Sequence, residues 1–165
     1  MGRREYILER IKVNGFPRSG NTYLTDLLTQ SFDVPVEFVL HKTADLYIKN
    51  CIVPIRKPEE SIASWAKLNP HINLEAIVKW YERFYTCVLK NANNLIILDF
   101  NYFIKQPINV VEYISKTFDL EIKPIDISIL DKNANIFNYE PLEFEHSLNT
   151  SLNLYNQVYE RRTLV

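Results

Sequence analysis

Apolar residues along the chain alternate between short runs and helical spacing, and the alternation marks out strands and helices in turn. Ile11-Lys12-Val13-Asn14 reads as a strand, and Leu24, Leu27 and Leu28 then predict a helix from about Thr22 to Ser31. Val36-Glu37-Phe38-Val39-Leu40 reads as a second strand, entered after Asp33 and Pro35. A third is Cys51-Ile52-Val53-Pro54-Ile55, where Pro54 lacks an N–H and predicts a sheet edge or a strand end. Pro58 opens a helix that runs to about Leu68, with Glu59 and Glu60 in the first turn, where the helix dipole favours negative charge. Asn73 caps the next helix, in which Ile77, Trp80, Phe84 and Val88 repeat at helical spacing. Leu95-Ile96-Ile97-Leu98 is apolar on both faces and reads as a buried parallel strand. Pro107 opens another helix, with Val110, Val111, Ile114 and Phe118 facing inward. Residues 121–140 read as irregular. From 141 to 162, Phe144, Leu148, Leu152, Tyr155 and Tyr159 return at helical spacing, with Asn149-Thr150-Ser151 as the expected break. The pattern predicts one α/β domain over residues 1–165, a parallel sheet flanked by helices.

Composition narrows the class without naming a function. Hydrophobic residues make up 47% and charged ones 24% of the 165, a balance that supports one globular core. The net charge of −1 gives no global attraction for nucleic acid or an anionic membrane, so any anion site must be built locally. Cys51 and Cys87 fit no metal spacing and read as reduced thiols in apolar runs. Met1 to Tyr6 is charged and lacks an apolar signal core, and no run has the length of a membrane span. A soluble, cytoplasmic protein is the expectation.

Candidate chemistry gathers at the predicted strand ends. Two of the three glycines bracket Gly15-Phe16-Pro17-Arg18-Ser19-Gly20-Asn21-Thr22-Tyr23, between the first strand and the first helix. A tight glycine-flanked turn opening a helix cradles phosphate, because unpaired N–H groups converge there and the dipole adds ~0.3–1 kcal/mol. The Gly15-x-x-x-x-Gly20 spacing is that of a P-loop, but Asn21 stands where a nucleotide triphosphatase has Lys. The cation is instead Arg18, inside the loop. The second strand leads into His41-Lys42-Thr43, and the third into Arg56, with Ser64 eight residues on. Each element alone has an ordinary reading: a plain turn, a polar loop, a solvated Arg. Together, at the ends of consecutive strands, they suit a ligand with several separated anionic groups.

Pro17-Arg18-Ser19-Gly20-Asn21-Thr22-Tyr23-Leu24 resembles the phosphosulfate-binding loop of sulfotransferases that use 3′-phosphoadenosine 5′-phosphosulfate (PAPS). Arg56-Lys57-Pro58-Glu59-Glu60-Ser61-Ile62-Ala63-Ser64 is similar to that family's 3′-phosphate motif. Trp80 and the segment from Leu98 to Pro107 extend the likeness, which covers about residues 11 to 120. The resemblance implies a P-loop-like fold and transfer of a sulfuryl group to an acceptor hydroxyl or amine, with 3′-phosphoadenosine 5′-phosphate (PAP) as product. It implies that Arg18, Ser19, Gly20, Asn21 and Thr22 hold the 5′-phosphosulfate, that Tyr23 stacks on adenine, and that Arg56 and Ser64 hold the 3′-phosphate. Arg18 and Lys42 would neutralise charge during transfer.

Two departures stand out. The family's second motif ends in His, its base, whereas here the order is His41-Lys42-Thr43-Ala44. His41 is the leading base candidate, titrating near the ordinary ~6.5, with Glu37 and Asp45 as rivals. A late basic segment that clamps the 3′-phosphate is missing, Arg161-Arg162 being the nearest pair. Two other classes stay open: a PAP- or PAPS-binding module with little turnover, and a small P-loop kinase, for which Asp99 is the sole acidic strand end. The acceptor's class is open.

Overall fold

The computed structural model describes residues 9–126, 128 and 148–163. Among them are four parallel strands: β1 (Ile11–Val13), β2 (Val36–Phe38), β3 (Ile52–Ile55) and β4 (Ile96–Asp99), in the order β2-β1-β3-β4. The helices are α1 (Asn21–Ser31), α2 (Pro58–Leu68), α3 (Leu74–Asn91), α4 (Phe100–Lys105), α5 (Pro107–Phe118) and α6 (Asn149–Glu160). The chain leaves β1 for β2 on one side and then returns for β3 on the other. The switch point therefore lies between β1 and β3, and ligands in such sheets bind at the carboxyl ends of the strands there. Among the described residues no helix is long and apolar enough to cross a membrane.

Strand alternation divides the core in two. Ile11, Val13, Ile52, Ile96 and Leu98 face α1, α4 and α5, meeting Leu24, Leu27, Leu28, Phe100, Phe103, Val110, Val111 and Ile114. Val53, Ile55 and Ile97 point the other way, to Ile62 of α2, to Ile77, Tyr81, Phe84, Tyr85 and Val88 of α3, and to Tyr155 and Val158 of α6. β3 and β4 are covered on both faces and so run apolar almost throughout, whereas β1 and β2 carry the paired, partly exposed Lys12 and Glu37 between their inward residues. Each buried Leu or Ile contributes ~1.5–3 kcal/mol.

Several elements differ from their sequence reading for identifiable reasons. β2 stops at Phe38 because Leu40 and His41 both take left-handed backbone, at φ 51° and 62°. Pro54 lies in an interior strand, not at an edge. The Ile52 carbonyl accepts from Asn14 N, on the β1 side, and the Cys51 carbonyl from Ile96 N, on the β4 side. By alternation Pro54 also faces the β1 side, but the ladder with β1 ends at Ile52, and there the Pro54 ring packs against Gly15, where a Cβ would lie 2.7 Å from Pro54 Cγ. β4 is itself the edge of the described sheet. Its open side is covered by Thr163, whose N–H donates to Ile97 O at 2.8 Å and whose Oγ1 accepts from Ile97 N at 3.1 Å.

Asn149-Thr150-Ser151 begins α6 and does not break it, and the buried face is Ser151, Tyr155 and Val158, with Leu152 38% exposed. Phe144 and His146 lie outside the described residues. On α3 the inward positions are Ile77, Tyr81, Phe84, Tyr85 and Val88, so Tyr81 takes the place expected for Trp80. α4 is an extra helix, capped by Asp99, whose Oδ1 accepts from Tyr102 N at 3.0 Å.

Gly20 ends the loop at φ 86°, and a Cβ there would meet the Phe103 ring at 2.7 Å and the Phe100 ring at 2.8 Å. Gly20→Ala is expected to lower stability by about 1–3 kcal/mol, from left-handed strain plus overpacking. Urea unfolding of the two proteins measures it; equal midpoints would contradict the packing.

Candidate functional site

The loop between β1 and α1 is held from inside by one side chain. Asn21 is 5% exposed; its Oδ1 accepts from Gly15 N at 2.7 Å, and its Nδ2 donates to Gly15 O at 3.2 Å and Phe16 O at 2.9 Å. Ser19 N donates to Phe16 O at 3.1 Å and closes the turn, with Arg18 in left-handed backbone at φ 66°. Gly15 sits so close to β3 that a Cβ would lie 2.6 Å from Pro54 O. Gly20 caps α1 without a side-chain hydrogen bond, and the first turn carries no acid. The opening N–H groups of α1 thus form an electropositive helix end that no side chain of the N-cap and no acid of the first turn offsets.

This turn opens into a cavity of ≈ 540 Å³. Pro17, Arg18, Gly20, Asn21, Thr22 and Tyr23 form one wall, and Asp26, Phe38, His41 and Trp65 complete it. Six residues singled out from the sequence therefore come together: Arg18, Gly20, Asn21, Thr22, Tyr23 and His41. Their presentations differ. Thr22 is exposed, whereas Tyr23 is 3% exposed and stacked on Phe103 with centroids 6.0 Å apart. Asn21 spends its side-chain amide on the loop itself.

Ser19, Lys42, Arg56 and Ser64 do not line the cavity. Ser19 and Ser64 are fully buried, and Ser64 Oγ accepts from Arg18 Nε at 2.9 Å. Arg56 is 4% exposed; its Nε pairs with Glu60 Oε2 at 2.8 Å, its Nη1 donates to Arg18 O at 3.1 Å, and its guanidinium stacks 4.2 Å from the Phe100 ring centroid. The Arg56 carbonyl accepts from the hydroxyls of Tyr81 at 2.9 Å and Tyr85 at 3.0 Å. Burial raises the pKa of both phenols, that of Tyr85 to about 12. Arg56 and Ser64 therefore grip Arg18 from behind, one at its carbonyl and one at its Nε. Lys42 is exposed, and its carbonyl accepts from Asn14 Nδ2 at 2.7 Å.

Compared with known proteins, the chain matches no family model, no curated protein and no solved structure. Its site must be read from its own chemistry.

His41 carries the most specific information. Its Nδ1 meets the Gly15 carbonyl. A carbonyl only accepts, so Nδ1 carries the proton and the neutral ring keeps its lone pair on Nε2. The ring sits edge-on to Phe38 at 5.0 Å, Trp80 at 6.1 Å and Trp65 at 6.5 Å. This apolar enclosure pushes the pKa below its ordinary value, with the Gly15 hydrogen bond opposing. The sequence expectation of an unperturbed titration is thus corrected. Of the rivals, Glu37 lies on β2 outside the cavity, bonded to Arg10 at 3.0 Å, and that hydrogen bond lowers its pKa. The Asp45 side chain is outside what the structure describes.

Asp26, Phe38 and Trp65 are wall residues that sequence reading missed. Asp26 was within reach, being four residues after Thr22 and so on the same face of α1. Burial raises its carboxyl pKa. Phe38 and Trp65 had no local signal, since only tertiary packing brings β2 and α2 to the loop. Asp99, the acidic residue that ends β4, accepts at Oδ1 from Tyr102 N and at Oδ2 from the Tyr155 hydroxyl at 3.1 Å.

Two outcomes are expected. His41 should titrate below ~6.5 by NMR. The unfolded chain then binds more protons in that window, so stability rises with pH from the folded pKa up to ~6.5 and levels off above it. His41→Gln should flatten that rise; an unchanged pH–stability profile would contradict the assignment. Separately, Arg56→Ala should cost about 3 kcal/mol in urea unfolding, because a mostly buried ion pair loses one member. A neutral effect would mean that Arg56 is not tied in as described.

Proposed function

We propose that the chain is a PAPS-dependent sulfotransferase with a compact P-loop-like fold. One observation carries the reading most. A loop that carries Arg18 and ends at the electropositive start of α1, where Gly20 gives no side-chain cap, shares a cavity with a histidine whose Nδ1–H is anchored and whose neutral ring keeps its lone pair on Nε2. An anion cradle beside an oriented neutral base is what sulfuryl transfer to a hydroxyl or amine needs.

In this reading the acceptor oxygen or nitrogen bonds to sulfur while the bond from sulfur to the bridging oxygen breaks. The released electron pair leaves on the 5′-phosphate of PAP, and the acceptor's proton passes to Nε2 of His41. Arg18 cannot act as an acid, because guanidinium keeps its proton; it neutralises charge on the departing phosphate. Its side chain is held for this by Ser64, and its carbonyl by Arg56. The lowered pKa keeps His41 neutral, hence competent, at pH 7. Lys42, off the cavity, is given no part in the step. Arg56 and Ser64, the 3′-phosphate contacts that the resemblance implies, lie buried behind Arg18 and off the cavity, so a 3′-phosphate would reach them only where the Arg18 side chain gives way. A P-loop kinase is disfavoured because both Asp99 oxygens are already engaged.

PAP should bind more tightly than ADP by calorimetry, a charge-assisted 3′-phosphate contact contributing about 1.5–3 kcal/mol. Equal affinities would remove the 3′-phosphate site. In a sulfuryl-transfer assay over a broad acceptor panel, Arg18→Ala should lower kcat far more than PAP affinity. His41→Ala should lower the rate about 10²–10⁴-fold and abolish the acid limb of the pH profile. Tight PAP binding with no transfer to any acceptor would favour a binding module.

A further inference from the structure

We propose that Asn21 is a positioning residue that sets His41, coupling the geometry of the anion loop to the tautomer of the base. The role of the base rests on the function proposed above; the linkage between Asn21 and His41 does not.

The Gly15 carbonyl has two lone pairs, and two donors share it. Asn21 Nδ2 lies at 3.2 Å, and His41 Nδ1 takes the other direction. Asn21 also holds the N–H of the same residue through Oδ1 at 2.7 Å. One amide therefore fixes the Gly15 residue at its N–H and its carbonyl. Its remaining bond, to Phe16 O at 2.9 Å, fixes the next peptide. The side chain is 5% exposed and its three contacts are all within the loop, so no ligand is needed to explain its orientation.

The consequence falls on His41. The rings of Phe38, Trp65 and Trp80 that surround it offer edges and faces, which do not select a ring nitrogen. Arg18 and Asp26 are the charged side chains on the shared cavity. The Gly15 carbonyl is the polar contact that fixes Nδ1 as the protonated nitrogen. Were that peptide to rotate, the ring would lose the acceptor that leaves Nε2 basic. The same rotation would re-aim the loop around Arg18. Asn21 thus acts on the base through a backbone carbonyl without touching the reacting atoms.

The test is the tautomer of His41, read from the ring-nitrogen shifts of the ¹⁵N-labelled full chain without PAP or acceptor. In the parent, above the His41 pKa, Nδ1 should show the protonated shift and Nε2 the unprotonated one. In Asn21→Ala, and in Asn21→Ser as a milder change, the signals should move towards the Nε2–H form, with His71 unchanged as internal reference. A parent already in the Nε2–H form overturns the proposal with no variant needed. So does an unchanged His41 tautomer in either folded variant, folding being checked by circular dichroism. Because no nucleotide is present, a failure of PAP to bind the parent would sink the sulfotransferase reading while leaving this result intact.

Discussion

The peptide of Gly15 is the point on which the site depends. Its Cα lies against β3 where a side chain would meet Pro54 O at 2.6 Å, so β1 can turn into its loop at the switch point only with glycine there. Its N–H and carbonyl are both taken by Asn21, and the carbonyl also receives His41. Strand, loop, first helix and histidine are thus referred to one residue. Proline at 54 belongs to the same fit, because past the end of the ladder its ring packs directly against the Gly15 backbone.

Behind the loop, the cost of burying a charge is offset by dense partnering. Arg56 has Glu60, the Arg18 carbonyl and the Phe100 face around its guanidinium. Its own carbonyl is satisfied by two stacked tyrosines of α3, with ring centroids 4.1 Å apart. A buried guanidinium left short of partners would cost several kcal/mol, so each of these contacts is a condition for the others. The result is a rigid floor from which Arg18 is held at both its backbone and its Nε. Preorganisation of this kind is how a fixed charge acts on a developing one without reorganising at the moment of reaction.

The left-handed pair Leu40 and His41 shows strain put to use. Two consecutive non-glycine residues at positive φ cost about 1–2 kcal/mol each. They turn the chain sharply off β2 and swing the His41 ring back over the Gly15 carbonyl, into the aromatic enclosure. Such strained positions gather where a side chain must be aimed. Leu40, left 65% exposed, bears the cost of that aim.

Much of the architecture was legible in local sequence because it rests on local physics. Short apolar runs and period-3.6 apolar patterns set the four strands and α1, α2, α3 and α5; Pro58 and Pro107 opened helices because a missing N–H is harmless at the first helical position. Glycine spacing marked the loop, since glycine alone tolerates its geometry. What depends on distant partners was hidden. Pro54 read as an edge because the early departure of β1 is not visible along β3. Tyr81, not Trp80, faces the core because α3 is rotated by its contacts with α6 and Arg56. The loop, His41 and Arg56 stood at predicted strand ends, but Asn21 turned inward and Arg56 went beneath the loop. Local sequence determines which backbone each segment favours; that Ser64 would take Arg18, Gly15 would take His41 and Arg56 would reach the Arg18 carbonyl is decided only when the elements pack, because those partners lie tens of residues apart.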